Sequence, residues 1–249
     1  MHIPDGFLNH SVSLFSASAA LTAVGFAMRK ARQGFLEKVP VFKARFATFP
    51  PSGNADVQGW QYHVSKWGQQ KMWRMAGVGS LIFAAQMVNF PIAGGTSGHL
   101  LGGVLAALIL GPYEALLVIS AVLLVQAFAF GDGGIAALGA NIFNMGLIGT
   151  LGGYWCFVLL RNKLKRYKLG MWASAWGAAW LSVTAAAACA SAELALSGTA
   201  PFMRVLSAML EYHAVIGLGE AVITVVILRT LARRNFPLAL FSGETSKSI

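Results

Sequence analysis

The chain has 249 residues, of which 56% are hydrophobic and only 11% are charged, and its mean hydropathy is +0.62. Soluble domains carry about 25% charged residues, so this composition excludes an ordinary soluble domain and indicates an integral membrane protein. The net charge of +10 does not indicate nucleic-acid binding, because the basic residues stand in a few segments between apolar runs and form no stripe with stacking aromatics. The sequence contains no Gly-Lys dipeptide, which excludes a Walker A motif for ATP.

The first two residues, Met1 and His2, are the earliest candidate site. No Lys or Arg precedes the first apolar run, so we expect no secretory leader, and His2 is too large for removal of the initiator Met. A free Met1 end then offers three nitrogens: the amine, the His2 amide and the His2 ring, whose Nδ1 can close a chelate ring with its own amide nitrogen. One further imidazole would complete a planar set of four nitrogens, which suits Ni(II) or Cu(II). A solvated His at position two remains the alternative.

Seven apolar runs follow along the chain, and a membrane-spanning helix needs about 20 mostly apolar residues. The runs cover 11–28, 75–90, 100–110, 113–130, 140–160, 171–195 and 214–228. The third run is short for a span. A polar, basic segment at 29–74 separates the first two runs, and a glycine-rich loop at 91–98 separates the second from the third. The pattern predicts an all-α fold, a polytopic integral membrane helical bundle of about seven transmembrane helices.

Charge predicts the orientation of these spans. Cytoplasmic loops are enriched in Lys and Arg, so we place the 29–74 segment in the cytoplasm. Alternation then puts all nineteen Lys and Arg residues except Arg204 on the inner side. The N-terminus is expected outside and the C-terminus inside. Met1 and His2, the loop before His99, the 131–134 turn and the 204–211 interval would then share the outer side.

Several polar side chains stand inside or beside the apolar runs. His99 follows a glycine-rich stretch, and irregular backbone at membrane depth is tolerated only where it is buried in protein or lines a cavity, so His99 is a candidate for a site. A helix N-terminal His bonded to a carbonyl is the alternative. Asn141 and Asn144 share a helical face and could hold an imidazole or bond a neighbouring helix. His213 and Glu220 share a face of the last run. Glu220 is an ionisable group in an apolar run and is therefore a candidate for the metal site. A structural bond to His213 or to a backbone donor is equally open.

Four segments carry a resemblance to a known family. They are MHIPDGF at 1–7, FPIAGGTSGHLLGG at 90–103, GDGGIAALGANIFNMG at 131–146 and HAVIGLGEAVIT at 213–224. The chain resembles the NikM/CbiM family, the substrate-binding membrane (S) components of energy-coupling factor transporters for nickel and cobalt.

The resemblance implies a ligand set and a surrounding shell. The ion would be held by the Met1 amine, the His2 amide and ring, and His99. Asn141, His213 and Glu220 would lie near the ion without binding it, and Asn144 completes the possible supporting shell.

The resemblance also implies a transport function. A single transmembrane substrate-binding domain, 1–249, would capture Ni(II) or Co(II) outside the cell (inner) membrane, with no cofactor besides the transported ion. A transmembrane coupling (T) subunit, two ATPase subunits and a small N-type membrane subunit would drive import with ATP. Planar geometry favours nickel slightly, and a cobalt importer feeding cobalamin biosynthesis is the alternative. The basic cytoplasmic insertion at about 29–74 departs from the family pattern, chiefly at 37–72.

Two other classes of protein compete with this interpretation. A membrane-embedded metalloenzyme would need an open coordination position and a general base, and the sequence has no HExxH pair. A secondary transporter or channel would predict inverted repeats or a path of ionisable groups, whereas only Glu220 was expected clearly within a span.

Overall fold

The computed structural model describes residues 1–32, 35–42, 57–92 and 96–241, and within these it has seven main helices. They are α1 His10–Arg32, α2 Lys66–Gln86, α3 Gly103–Leu110, α4 Pro112–Phe130, α5 Leu138–Leu164, α6 Gly170–Leu196 and α7 Phe202–Arg233. Wider π turns end α4, over Gln126–Phe130, and run through α5, over Ile142–Gly152. A short 3₁₀ turn, Ala239–Phe241, follows α7. The predicted helical bundle is confirmed.

Two short antiparallel strand pairs depart from the all-α expectation. Strand β1, Leu36–Phe42, pairs with β2, Val57–Val64, inside the segment that was expected to be a polar loop. Strand β3, Phe90–Ile92, pairs with β4, Thr96–Gly98, where a glycine-rich loop was expected. The Val, Trp and Tyr residues of β2 favour extended structure, a signal that the basic character of the segment obscured. Residues 33–34 and 43–56 of the predicted insertion, and residues 93–95, lie outside the described residues.

Two helices begin earlier than the apolar runs predicted. Helix α2 begins at Lys66 rather than at position 75, because Ser65 caps it by accepting a hydrogen bond from the Gly68 amide at 2.9 Å. Helix α7 begins at Phe202 rather than at position 214, so the interval expected to be a polar connection is helical. Hydropathy marks only the apolar part of a helix, whereas its polar turns keep the same backbone hydrogen bonds.

Among the described residues, five helices are long and apolar enough to cross a membrane: α1, α4, α5, α6 and α7. Helix α3 has only eight residues, and the first turns of α2 are polar. The chain is therefore a multi-pass membrane protein. The number of spans and their orientation stay predictions.

The short helix α3 forms the centre of the bundle. Its residues are buried from Gly103 to Ile109, and it packs against α4, α5, α6 and α7. A helix that is apolar on all sides is buried by the rest of the protein. Helix α1 lies at the periphery and exposes Leu14, Phe15 and Leu21, a face suited to lipid.

The bundle has two chemically different ends. At one end the Asn9 side chain donates to the Leu196 carbonyl at 3.0 Å, which joins the start of α1 to the end of α6, and the N-terminal segment lies there. Helices α1 and α5 begin at this end and finish at the other with basic last turns, Arg29 to Arg32 and Arg161 to Lys163. The N-terminal residues and the basic helix ends are thus separated by the length of the bundle.

Candidate functional site

The N-terminal segment is held inside the protein by Asn141 of α5. The Ile3 amide donates to Asn141 Oδ1 at 2.8 Å, and Asn141 Nδ2 donates to the Ile3 carbonyl at 3.1 Å. The Gly134 amide also donates to the Ile3 carbonyl, at 3.0 Å. Met1, His2 and Ile3 are consequently buried. Asn141 thus lies beside the predicted ligands, as expected, but it binds backbone rather than an imidazole.

Asp5 fixes the same segment from its other side. Its carboxylate accepts hydrogen bonds from the amides of Ile135, Ala136 and Ala137 at 3.1, 2.8 and 3.3 Å. These amides immediately precede α5. Asp5 therefore stabilises the turn that leads into that helix, although it lies far away in the sequence. Sequence analysis did not identify Asp5, because capping patterns are sought among near neighbours and this one joins residues about 130 positions apart.

Two glycines make room for the N-terminal segment. Gly133 has φ +91°, and a side chain there would meet His2 Cδ2 at 3.4 Å and Asn141 Nδ2 at 3.1 Å. A side chain at Gly134 would collide with Asp5. The glycines of the 131–134 turn therefore permit the close approach that buries His2.

The Met1 amine is fully buried and contacts Ser97 of β4. It donates to the Ser97 carbonyl and lies 3.3 Å from the Ser97 hydroxyl. Burial lowers the pKa of this amine from 8.0 to about 4, and the nearby Asp132 opposes the shift only in part. The amine is therefore neutral at pH 7, which is the form that can bind a metal ion.

The rings of His2 and His99 stack with their centroids 4.6 Å apart and an interplanar angle of 28°. His99 donates from Nδ1 to the Leu100 carbonyl at 2.7 Å, which leaves Nε2 with a lone pair. This Nε2 is buried and has no hydrogen-bond partner among the described residues. Burial lowers the pKa of His2 and lowers that of His99 further, and the amine adds to both shifts, so both rings are neutral. The structure thus brings together the three residues that the sequence proposed as ligands.

Asp132 stands at the edge of this cluster. Its Oδ1 lies 3.0 Å from His2 Nδ1, and its Oδ2 accepts from Asn89 Nδ2 at 3.0 Å. Partial burial alone would raise the pKa of Asp132, but the His2 ring and the Asn89 amide more than compensate, so the pKa lies below its usual value. Sequence analysis placed Asp132 in a turn and assigned it no role.

Glu220 of α7 holds the loop that carries His99. Its carboxylate accepts from the amides of Leu101 and Gly102 at 2.6 and 2.9 Å. Gln86 of α2 donates to the Leu101 carbonyl at 2.8 Å. Glu220 is therefore bonded to backbone donors, one of the structural roles that the sequence left open, rather than to His213.

His213 lies two turns before Glu220 on α7 and is buried. Its Nδ1 donates to the Met209 carbonyl at 2.8 Å, and its Nε2 has no hydrogen-bond partner among the described residues. The ring therefore carries its proton on Nδ1, as the ring of His99 does.

Asn144 takes part in a different cluster. Its Nδ2 donates to Glu193 Oε2 at 2.5 Å, and the Ser16 hydroxyl donates to Glu193 Oε1 at 2.5 Å. These bonds join α1, α5 and α6. The expectation that only Glu220 lies within a span is wrong, because Glu193 on α6 and Glu114 in the first turn of α4 are also buried carboxyl groups of candidate spans.

The described residues contain no group of three or more His, Cys, Asp or Glu side chains that could hold a metal ion. A site at Met1, His2 and His99 would therefore have to draw on the amine and the His2 amide as well as on imidazoles. His63 lies on β2, next to the start of α2, away from this end of the bundle.

Comparison with known proteins identifies the family. Residues 53–238 match the family model CbiM, described as the cobalt uptake substrate-specific transmembrane region. The chain belongs to this family. It is 32% identical over 235 residues to a putative fused nickel transport protein NikMN of Archaeoglobus fulgidus, a match that covers 93% of this chain and 65% of that protein.

Two further comparisons agree with this family. A putative metal transport protein of Haloquadratum walsbyi is 33% identical over 249 residues, covering 99% of this chain and 96% of that protein. A crystal structure of a truncated transition metal transporter superposes with a TM-score of 0.75 at 29% identity, covering 94% of this chain and 99% of that one. The relatives are metal transport proteins rather than enzymes. The chain spans slightly less than two thirds of the fused archaeal relative, 65% of its length.

Proposed function

We propose that this protein is the substrate-binding membrane (S) component of an ATP-driven energy-coupling factor transporter that imports Ni(II) or Co(II). The observation that carries the proposal is the buried Met1 amine, which contacts Ser97 close to the stacked rings of His2 and His99. A neutral amine, the amide and Nδ1 of His2, and His99 Nε2 form a four-nitrogen donor set. Such a set suits a late first-row divalent ion in planar geometry.

The proposed partners follow from what the chain lacks in sequence. It has no Walker A motif, so ATP hydrolysis falls to two separate ATPase subunits. A transmembrane coupling (T) subunit would join them to this chain in the cell (inner) membrane, and a small N-type membrane subunit would complete the transporter. Co-purification with ATPase subunits tests this assembly, and isolation of the chain alone from cells that express all components would contradict it.

Nickel is the favoured cargo, because low-spin Ni(II) prefers planar four-nitrogen coordination. A cobalt importer that feeds cobalamin biosynthesis is the second candidate, and the family description, which names cobalt uptake, favours it. Uptake of labelled nickel and cobalt by cells expressing the assembled transporter distinguishes the two. Preference for cobalt with nickel excluded would contradict the nickel assignment, and zinc uptake would contradict the planar site.

A further inference from the structure

Two arginines stand at the end of α7, at the basic end of the bundle. Arg229 and Arg233 are one turn apart, so their side chains share a face of the helix, and both are exposed. Within the part of the chain that the structure describes, neither guanidinium forms an ion pair with a carboxylate. Like charges four positions apart destabilise a helix. An anion bound between the two arginines would relieve this repulsion.

The two arginines line a cleft between α6 and α7. The cleft has a volume of about 520 Å³, and its other lining residues are Ala232 of α7 and Trp172 in the first turn of α6. The Arg229 guanidinium carbon lies 5.1 Å from the centre of the Trp172 ring, a cation–π contact that holds this side chain at the wall of the cleft. Guanidinium groups bind phosphate oxygens through two parallel hydrogen bonds. The cleft is therefore suited to a phosphate group.

The same face of α7 is apolar and exposed over the turns that precede the arginines. The positions rise about 17 Å along the helix, at about 1.5 Å per residue, which is close to the roughly 15 Å of hydrocarbon in one leaflet of a bilayer. Tryptophan, the residue type beside the cleft, is enriched at the level of lipid headgroups. The exposed apolar residues of this stripe are Val215, Leu218, Val222 and Val226.

We propose that the cleft is a binding site for one anionic phospholipid from the leaflet at the basic end of the bundle. The lipid phosphate lies between Arg229 and Arg233, and one acyl chain follows the apolar stripe of α7. Contacts between helices in membranes use small residues, whereas this stripe consists of Val and Leu, which favours a lipid chain over a partner helix. The cleft and the ion site lie at opposite ends of the bundle, so the inference does not depend on the proposed function.

Native mass spectrometry of the full chain counts the lipid molecules that it retains. The probe is dioleoylphosphatidylglycerol, mixed in equal amount with dioleoylphosphatidylcholine in the micelles from which the protein is released. Each Arg near an anionic lipid surface strengthens binding by about fivefold. We therefore expect one phosphatidylglycerol per chain, favoured over phosphatidylcholine by at least about tenfold.

Substitution of both arginines should abolish this preference. In the Arg229→Gln/Arg233→Gln chain, we expect the two lipids to be retained equally, to within about twofold. The matched control, Arg29→Gln/Lys30→Gln, removes the same charge from exposed residues in the last turn of α1 and should keep the preference. If the double variant fails to fold, the single variants decide, and each should weaken the preference by about fivefold.

Four results would overturn the inference. The wild-type chain could retain no phosphatidylglycerol, or the control could lose the preference as fully as the double variant does. Displacement of the lipid by an equimolar amount of glycerol phosphate would show that the cleft binds a free phosphate compound rather than a phospholipid. An unchanged lipid preference in the double variant, together with loss of co-purifying protein subunits, would show that a protein covers this face.

Discussion

At the scale of single residues, the site is defined by the protonation states of its nitrogens. The Met1 amine and both imidazoles are buried away from water, and burial disfavours their charged forms. In the proposed donor set the amine and both rings then bind an ion without losing a proton, and only the His2 amide has to release one. Neutral donors also discriminate weakly by charge, so the choice of ion falls to geometry and ligand type.

Loss of His99 should abolish the site. Loss of a residue that only supports a metal ligand weakens metal binding about 10–100-fold. We expect His99→Ala to weaken Ni²⁺ binding by more than this, because it removes a donor nitrogen. Isothermal titration with purified protein measures this. His63→Ala, on β2, is the matched control and should bind Ni²⁺ as the wild type does. If His99→Ala still binds one Ni²⁺ per chain, His99 is wrongly assigned as a ligand.

The number of protons released when Ni²⁺ binds tests the lowered pKa of the Met1 amine. An exposed amine with a pKa of 8.0 is mostly protonated at pH 7, whereas the buried amine, with a pKa of about 4, is not. We therefore expect about one proton released per Ni²⁺ at pH 7, from the His2 amide. A free peptide of residues 1–7 should release about two protons under the same conditions. Titration in buffers of different ionisation enthalpy gives the number, and equal release from protein and peptide would contradict a buried neutral amine.

The sequence indicated the donors but not the residues that hold them. Met1, His2 and His99 could be proposed because their chemistry is local: a terminal amine, a short chelate ring and a His after glycines. Asp5 and Asp132 could not, because each contacts groups that only the tertiary fold brings near.

At the scale of elements, the site is a meeting point of four segments. The N-terminal segment supplies Met1 and His2, and β4 together with the loop that follows it supplies Ser97 and His99. Helix α5 holds the N-terminal segment through Asn141, and α7 holds the loop that follows β4 through Glu220. Movement of either helix would therefore change the distance between these proposed donors.

Substitution of the two asparagines of α5 should have different effects, one on Ni²⁺ affinity and the other on thermal stability. Asn141→Ala removes two hydrogen bonds to Ile3 and should weaken Ni²⁺ binding about 10–100-fold, as loss of an outer partner does. Asn144→Ala removes a bond to Glu193 and should lower the thermal unfolding temperature while changing Ni²⁺ affinity by less than about threefold. Titration and thermal unfolding in detergent measure the two effects. Equal loss of affinity in both variants would contradict the division into two clusters.

Helix boundaries illustrate the limits of hydropathy. The apolar runs located all seven helices, including the short α3, but they placed the starts of α2 and α7 too late. A helical turn that projects beyond the apolar region has polar side chains and yet the same backbone bonds, so its composition does not distinguish it from a loop. The pairing of β3 with β4 was missed for a related reason, since glycine-rich segments have low strand propensity.

At the scale of the whole molecule, the bundle separates the end that holds the proposed metal site from a basic end. Met1 lies at one end, and the basic last turns of α1 and α5 lie at the other. If the basic end faces the cytoplasm, the site opens to the outside, as an importer requires.

Accessibility to an impermeant thiol reagent tests this orientation. We expect Ile135→Cys, which replaces an exposed residue near Asp132, to be labelled from outside intact cells. Lys165→Cys, at the basic end, should be labelled only after permeabilisation. Both are made in a background without the half-buried Cys156 and Cys189. The reverse pattern would overturn the orientation.

The central claim is that the N-terminal amine itself binds the ion, and a single extension tests it most directly. A chain with one Gly before Met1 moves the amine out of its buried position beside Ser97 and turns the Met1 nitrogen into an amide. We predict that this chain loses more than about 100-fold in Ni²⁺ affinity relative to the same chain tagged only at the C-terminus, while it still unfolds in a single cooperative transition in the absence of metal. Equal Ni²⁺ affinity for the two chains would contradict the account.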